Sequence, residues 1–114
     1  MPRRVSVPEN DNREYLIAYC TCPPEKAAGI AGELVKRRVC ACVNVLSGVQ
    51  SVYAWKGQVE EDAESLLVIK TRGDLFPQLE QAIRDIHPYE VFELVACRLE
   101  CGNPAYLRWI DESV

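Results

Sequence analysis

The sequence has little of what a multi-histidine metal site or a nucleic-acid-binding surface requires. Its 114 residues include one histidine, His87, and acidic residues outnumber basic ones by 17 to 13, which gives a net charge of -4. Nucleic-acid-binding surfaces depend on clustered Lys and Arg side chains that contact phosphates. We therefore expect no nucleic-acid partner, and we expect the acidic surface to attract cations.

Long apolar runs are also missing. Only three residues separate Arg4 from Pro8, which leaves no room for the apolar region of a secretory signal, and no later stretch has the length of a membrane span. We therefore predict no membrane partner and a cytoplasmic location. Because 48% of the residues are hydrophobic, the chain can bury a core as one domain without metal or disulfide support.

The six cysteines do not have the spacing of a redox pair or a zinc finger. They occur as Cys-x-Cys at 20–22 and at 40–42 and as Cys-x3-Cys at 97–101. In a reducing compartment, free cysteines mostly serve as small buried hydrophobic side chains. We predict this role for most of them.

Hydrophobic periodicity predicts alternating strands and helices after a polar segment. We predict that residues 1–13 are a flexible N-terminal extension and that residues 14–114 form one domain. The predicted strands are 15–22, 41–55 with a bulge at Ser47-Gly48, 58–70 and 92–99. The predicted helices are 24–38, one capped by Asp74 and ended by His87-Pro88, and a short last helix capped by Asn103.

This order predicts an α+β fold of the ferredoxin-like type, β-α-β-β-α-β, with an antiparallel sheet and both main helices on one face. Two features predict more than one copy. The strands are apolar on both faces, as in Leu66-Leu67-Val68-Ile69, and the hairpin formed by 41–55 and 58–70 is long enough to overhang the domain. A second copy of the chain is the simplest cover for the free face, so we predict an obligate homo-oligomer.

Several short strings in this chain resemble the CutA divalent-cation tolerance family. They are Ala-Cys-Val-Asn-Val at 41–45, Trp-Lys-Gly at 55–57, His-Pro-Tyr-Glu at 87–90 and Gly-Asn at 102–103. The resemblance covers about residues 15–112 in unbroken order. It implies a ferredoxin-like homotrimer with strand pairing between subunits, and a non-enzymatic cytoplasmic protein that binds divalent metal ions, copper in particular, and acts in the response to metal ions.

The resemblance also implies a metal site formed by Cys20, His87 and Glu93. Thiolate and imidazole are suitable ligands for copper or zinc, and a carboxylate completes a mixed site. Each residue has a structural alternative. His87 can bond the last carbonyls of its helix, Cys20 can be a buried hydrophobic side chain, and Glu93 can be a surface carboxylate or the partner of a neighbouring subunit's arginine.

Three other functions compete with metal binding. A P-II-like trimeric sensor of a small ligand would need a phosphate loop rich in Gly and Lys, and the chain has only Lys56-Gly57 and Arg72-Gly73. A hydrolase with His87 as base and Glu90 or Glu93 orienting it has no nucleophile motif to support it. A scaffold for a functional partner is the third. The acidic run 60–64 predicts a solvated hairpin arm rather than a hard-cation site.

Overall fold

Four strands and three α-helices make up residues 14–114, which are the residues described in the computed structural model. Their bounds are β1 Tyr15–Cys22, α1 Pro24–Lys36, β2 Cys42–Trp55, β3 Gln58–Arg72, α2 Phe76–Ile86, β4 Val95–Arg98 and α3 Pro104–Ser113. A single 3-10 turn, Gly73–Leu75, precedes α2. The predicted extension 1–13 lies outside the described residues.

The strands form one sheet in the order β2-β3-β1-β4, and every neighbouring pair is antiparallel. With a helix after β1 and another after β3, this is the ferredoxin-like α+β arrangement. The predicted fold class is therefore confirmed.

The main core lies between this sheet and helices α1 and α2. Cys20 pairs with Leu67 and Ala18 pairs with Ile69 across β1 and β3, so the four side chains point to the same face. All four are fully buried, as are helix side chains such as Leu34. Full burial of an aliphatic side chain contributes roughly 1.5–3 kcal/mol, so this face of the sheet is the main source of stability.

The opposite face of the sheet is only partly covered. Helix α3 packs Ile110 against Tyr15 and Ala41 at one end of this face. Farther along, Tyr19 pairs with Val68 and with Val95 of β4, and Val95 is exposed. The strands are thus apolar on both faces, as the sequence predicts, and an apolar area remains open in the single chain.

The β2-β3 hairpin extends beyond the sheet. Strand β1 pairs with β3 only from Ser65 onward, so the outer part of the hairpin has two strands. The molecule measures 53 × 25 × 24 Å along its principal axes. Positive φ angles at Lys56 and Gly57 form the hairpin turn, and the predicted bulge lies between Leu46 and Val49. The predicted overhang is confirmed.

Several predicted boundaries differ from the structure, most of them by one or two residues. Helix α1 ends at Lys36 because Arg38 adopts a left-handed conformation with φ 60°. Asp74 does not cap α2; its carboxylate pairs with the guanidinium of Arg72 at 2.9 Å. Strand β4 begins at Val95 rather than at residue 92.

Candidate functional site

His87 stands where helix α2 ends. The helix stops at Ile86, and His87 has an extended backbone (φ −77°, ψ 134°) because Pro88 disfavours a helical residue before it. The His87 N–H still donates to the Ile83 carbonyl at 2.7 Å, as the last bond of the helix. His87 is only 8% exposed, so its imidazole lies inside the molecule and is not an open surface ligand.

Both ring nitrogens of His87 have hydrogen-bond partners. Nε2 lies 2.8 Å from the Thr21 carbonyl oxygen, and Nδ1 lies 3.1 Å from the backbone nitrogen of Tyr89. A carbonyl only accepts and a backbone N–H only donates, so the arrangement fits the neutral ring with its proton on Nε2. The imidazole thus donates to a carbonyl of β1. The structural alternative, in which it bonds the last carbonyls of its own helix, is wrong.

Cys20 lies in the core beside this histidine. Its side chain is fully buried, and Sγ is 3.7 Å from the Thr21 carbonyl oxygen. Burial raises the pKa of the thiol to about 12, and the charges of Cys22, Glu93 and Glu64 act in the same direction. Cys20 is therefore a protonated thiol at neutral pH, which agrees with its alternative role as a buried hydrophobic side chain.

Glu93 lies in the segment that joins α2 to β4, and its side chain is exposed. Its charge is near enough to act on the Cys20 thiol. None of the salt bridges within residues 14–114 involves Glu93. The carboxylate is thus available to a cation from solvent.

Two of the three predicted ligands, His87 and Cys20, contact the same backbone group, the Thr21 carbonyl, and Glu93 lines the same cleft as Thr21, but the three do not form a ready metal site. No group of three or more His, Cys, Asp or Glu side chains within residues 14–114 is arranged to hold a metal ion. The donor types suit copper or zinc. However, both imidazole nitrogens are bonded and the thiol is protonated and buried, so the arrangement as it stands does not fit a metal.

An acidic cleft of about 800 Å³ opens next to these residues, between the overhanging hairpin and the segment 88–93. The Tyr89 hydroxyl donates to Glu64 at 3.1 Å, and the Tyr53 hydroxyl donates to Asp62. Glu64 is only 5% exposed. The prediction that the run 60–64 is wholly solvated is therefore wrong at Glu64, because Tyr89 covers that residue.

Glu64 and Thr21 are the parts of the site that sequence reasoning missed. Asp62 and Glu64 are two residues apart on β3, so their side chains point to the same face, and Glu64 precedes Ser65, which pairs with Cys22 at the end of β1. The alternation can be read from the sequence, whereas the register against β1 is known only from the structure. Thr21 takes part through its backbone carbonyl, and because every residue type has that group, the sequence could not identify Thr21.

Helices in the described part of the chain are all too short or too polar to cross a membrane.

Comparison with known proteins agrees with this architecture. The family model of CutA1, the CutA1 divalent ion tolerance protein, matches residues 16–113. Protein CutA of Mus musculus is 48% identical over 96 residues, which are 83% of this chain and 54% of that protein. The divalent-cation tolerance protein CutA of Thermus thermophilus is 43% identical over 98 residues, 85% of this chain and 95% of that protein. The chain thus spans about half the length of the mouse protein and nearly all of the Thermus protein.

Solved structures show the same fold. CutA1 from Oryza sativa superposes with a TM-score of 0.86 at 38% identity, covering 89% of this chain and 94% of that one. A PII-like protein CutA from Nostoc, solved in apo form, superposes with a TM-score of 0.82 at 34% identity, covering 86% and 95%.

Proposed function

The chain belongs to the CutA1 divalent ion tolerance family, and from this membership we propose that it is a non-enzymatic protein that binds divalent metal ions in the response to those ions. The observation that carries the proposal is the family match over residues 16–113. The negative charge of the chain supports it, because an acidic surface attracts cations.

Copper is the cation that we propose, with Cys20, His87 and Glu93 as its candidate ligands. The support is the contact of Cys20 and His87 with the same Thr21 carbonyl, the nearness of the Glu93 charge to the Cys20 thiol, and the preference of copper for sulfur and imidazole nitrogen. Because the His87 nitrogens already have partners, binding would require the ring to give up one hydrogen bond. We therefore expect a weak site whose occupation is accompanied by a local rearrangement.

A cytoplasmic homotrimer is the assembly that we propose. The open apolar face that carries Tyr19, Val68 and Val95 supports association, since a large uncovered apolar area is unusual on a soluble monomer. The trimeric number comes from the family resemblance alone.

The test of the metal proposal uses the fact that the chain contains a single histidine. The reduced protein is titrated anaerobically with Cu²⁺, and with Zn²⁺ as a redox-inactive second ion, while calorimetry measures binding and NMR follows the one imidazole. We expect Cu²⁺ to broaden, and Zn²⁺ to shift, the ring signals of His87. Cys20→Ser and Glu93→Gln should weaken binding.

Glu61→Gln is the matched control, because Glu61 is an exposed carboxylate that does not line the cleft. If Glu61→Gln and added salt weaken binding as much as Cys20→Ser does, while the imidazole signals stay unchanged, the ions are held only by diffuse attraction to the acidic surface. That result would reject the proposed ligands.

A P-II-like role as a sensor of a small ligand is the second candidate. The superposition on the PII-like CutA from Nostoc and the presence of a large cleft favour it. Nucleotide-type ligands need positive charge at the phosphates, and neither Lys nor Arg lines this cleft in the single described chain. Calorimetry with ATP separates the two candidates, because a metal-binding protein without a phosphate site gives no heat.

A further inference from the structure

His87 has one ring nitrogen with a lone pair, and a backbone N–H covers it. Because Nε2 carries the proton and donates to the Thr21 carbonyl, the lone pair is on Nδ1, where the Tyr89 N–H donates at 3.1 Å. A neutral imidazole coordinates a metal or attacks an electrophile only through such a lone pair. The Nε2 bond has the form that orients metal-bound histidines, in which the second ring nitrogen donates to a backbone carbonyl. The obstacle to a ligand is therefore Tyr89 rather than Thr21.

The segment that carries this N–H is held by few contacts. Residues 88–93 lie between α2 and β4 and contain neither helix nor strand. They make no backbone–backbone hydrogen bond within the described part of the chain. Phe92 stacks on the imidazole and packs against the main core, whereas none of residues 88–91 belongs to a core cluster. Segments with so few buried contacts open at a low cost in free energy.

Tyr89 fastens the segment at a second point. Its hydroxyl donates to Glu64 of β3 at 3.1 Å, and its ring centroid lies 4.8 Å from that of the imidazole. Glu64 is buried even in the single chain, so a neighbouring subunit packed on the hairpin would cover it further. A buried carboxylate that loses a donor is unfavourable. The bond to Glu64 therefore favours the position of segment 88–93 in which the Tyr89 N–H covers Nδ1.

We infer that segment 88–93 is a latch over Nδ1 of His87, that the Tyr89–Glu64 bond keeps it closed, and that a ligand reaches this nitrogen only after the latch opens. The latch regulates the metal site proposed above and rests on that proposal only for the identity of the ligand. It also explains why the candidate ligands do not form a ready metal site, because the structure has the latch closed. A ligand on Nδ1 and the Tyr89–Glu64 bond oppose each other, so weakening one favours the other.

Diethyl pyrocarbonate is a suitable metal-free probe, because it acylates neutral imidazole through the lone pair and the chain contains a single histidine. The full chain is treated at neutral pH in EDTA, and ultraviolet absorbance with mass spectrometry follows the acylation of His87. When opening and closing are fast, the rate follows the open fraction of the latch. Tyr89→Phe should react about five- to tenfold faster than the parent, because the closed position loses a bond to a carboxylate.

Two further variants test which bond matters. Glu64→Gln keeps an acceptor for Tyr89 but removes its charge, so it should give a smaller increase in the acylation rate. Tyr53→Phe is the matched control, because the Tyr53 hydroxyl donates to Asp62 within the hairpin and contacts no residue of the latch. It should react at the parent rate.

Anaerobic calorimetry with Cu²⁺ and Zn²⁺ measures the effect of the latch on the proposed metal site. Tyr89→Phe should bind about five- to tenfold more tightly than the parent, since the closed fraction lowers the apparent affinity. Loss of a hydroxyl beside a binding site ordinarily weakens binding, so a gain is specific to a latch. Tyr53→Phe should bind like the parent.

The inference is overturned if Tyr89→Phe is acylated no faster than the parent, or if the parent already reacts as fast as a short histidine peptide. It is also overturned if Tyr53→Phe accelerates acylation as much as Tyr89→Phe, because the effect then belongs to the hairpin as a whole. Faster acylation of Tyr89→Phe with absent or unchanged metal binding would reject His87 as the metal ligand and would support the latch as a closure of the imidazole.

Discussion

The Nε2 atom of His87 lies 2.8 Å from the carbonyl oxygen of Thr21, which joins the end of α2 to the end of β1. The second ring nitrogen accepts the N–H of Tyr89, so the same side chain also fixes the start of the following segment. The ring stacks on Phe92 with 5.4 Å between centroids. One imidazole therefore connects three parts of the chain.

His87→Ala should destabilise the metal-free protein by about 2–4 kcal/mol. The substitution removes two hydrogen bonds and leaves the partly buried Thr21 carbonyl without its imidazole donor. The measurement is urea unfolding in the presence of EDTA, so that no metal contributes. Glu90→Ala, an exposed change three residues later, should shift stability by less than about 0.5 kcal/mol. Equal unfolding midpoints for His87→Ala and the parent would show that His87 has no structural role.

The same hydrogen bond explains why one boundary could not be predicted. The sequence predicts a strand from residue 92, because Phe92, Leu94 and their neighbours are β-prone. The ladder between β1 and β4 ends instead at the Tyr19–Val95 pair. Two residues farther along β1, the Thr21 carbonyl accepts His87 and not a strand partner. Local propensity carries no information about a contact between residues 66 positions apart.

Elements with strong local signals were predicted well. The Lys56-Gly57 turn, the Gly48 bulge and the Asn103 cap, which accepts the Tyr106 N–H at 2.8 Å, all follow from residue type. The site was predicted less completely. The three proposed ligands could be named from the family resemblance, but the bonds that occupy His87 and the burial of Glu64 depend on tertiary packing.

Alkaline pH should destabilise the fold through its buried thiols. Burial raises the pKa of Cys40 from 9.0 to about 12, and that of Cys20 likewise. The folded state therefore holds these protons more tightly than the unfolded state. The resulting stability is fully present below pH 9 and is lost as pH rises toward 12.

Between pH 9 and 10, each of these thiols should reduce the free energy of unfolding by up to about 1.4 kcal/mol. Denaturant unfolding at closely spaced pH values measures this slope. Cys40→Ala should lower the free energy of unfolding at pH 7, because it leaves a cavity in the core. It should also make the decrease of that free energy with pH less steep, because one buried thiol is removed. Cys97→Ala, at an exposed cysteine, should leave the slope unchanged. A Cys40→Ala slope as steep as that of the parent would contradict the assignment.

The two faces of the sheet should respond differently to a new charge. Ala18 is fully buried beneath the helices, so Ala18→Asp should unfold the chain at a cost of several kcal/mol. Val68 lies on the opposite face, paired with Tyr19, and is only partly buried. Val68→Asp should therefore keep the fold of the single chain and dissociate the proposed homotrimer.

Light scattering with circular dichroism separates these outcomes. The parent should have three times the 12.9 kDa mass of one chain, and Val68→Asp should have a lower mass with the same secondary structure. A parent that is monomeric at micromolar concentration would rule out the trimer. A Val68→Asp protein of unchanged mass would show that this face is not the interface.

The Tyr89 hydroxyl should control the position of the overhanging hairpin relative to segment 88–93. It donates to Glu64, whose carboxylate is almost completely buried. Tyr89→Phe keeps the ring and leaves that carboxylate with one donor fewer, so we expect a loss of about 1–3 kcal/mol in the free energy of unfolding. Because the outer hairpin has no third strand, its amides near Glu64 and the amides of segment 88–93 should also exchange with deuterium faster in Tyr89→Phe than in the parent. Tyr53→Phe is the matched comparison, since the Tyr53 bond to Asp62 lies within the exposed hairpin itself and ties no second segment. Tyr53→Phe should therefore leave deuterium exchange in segment 88–93 unchanged. If Tyr89→Phe also exchanges like the parent in segment 88–93, the Tyr89–Glu64 bond does not hold the hairpin against that segment.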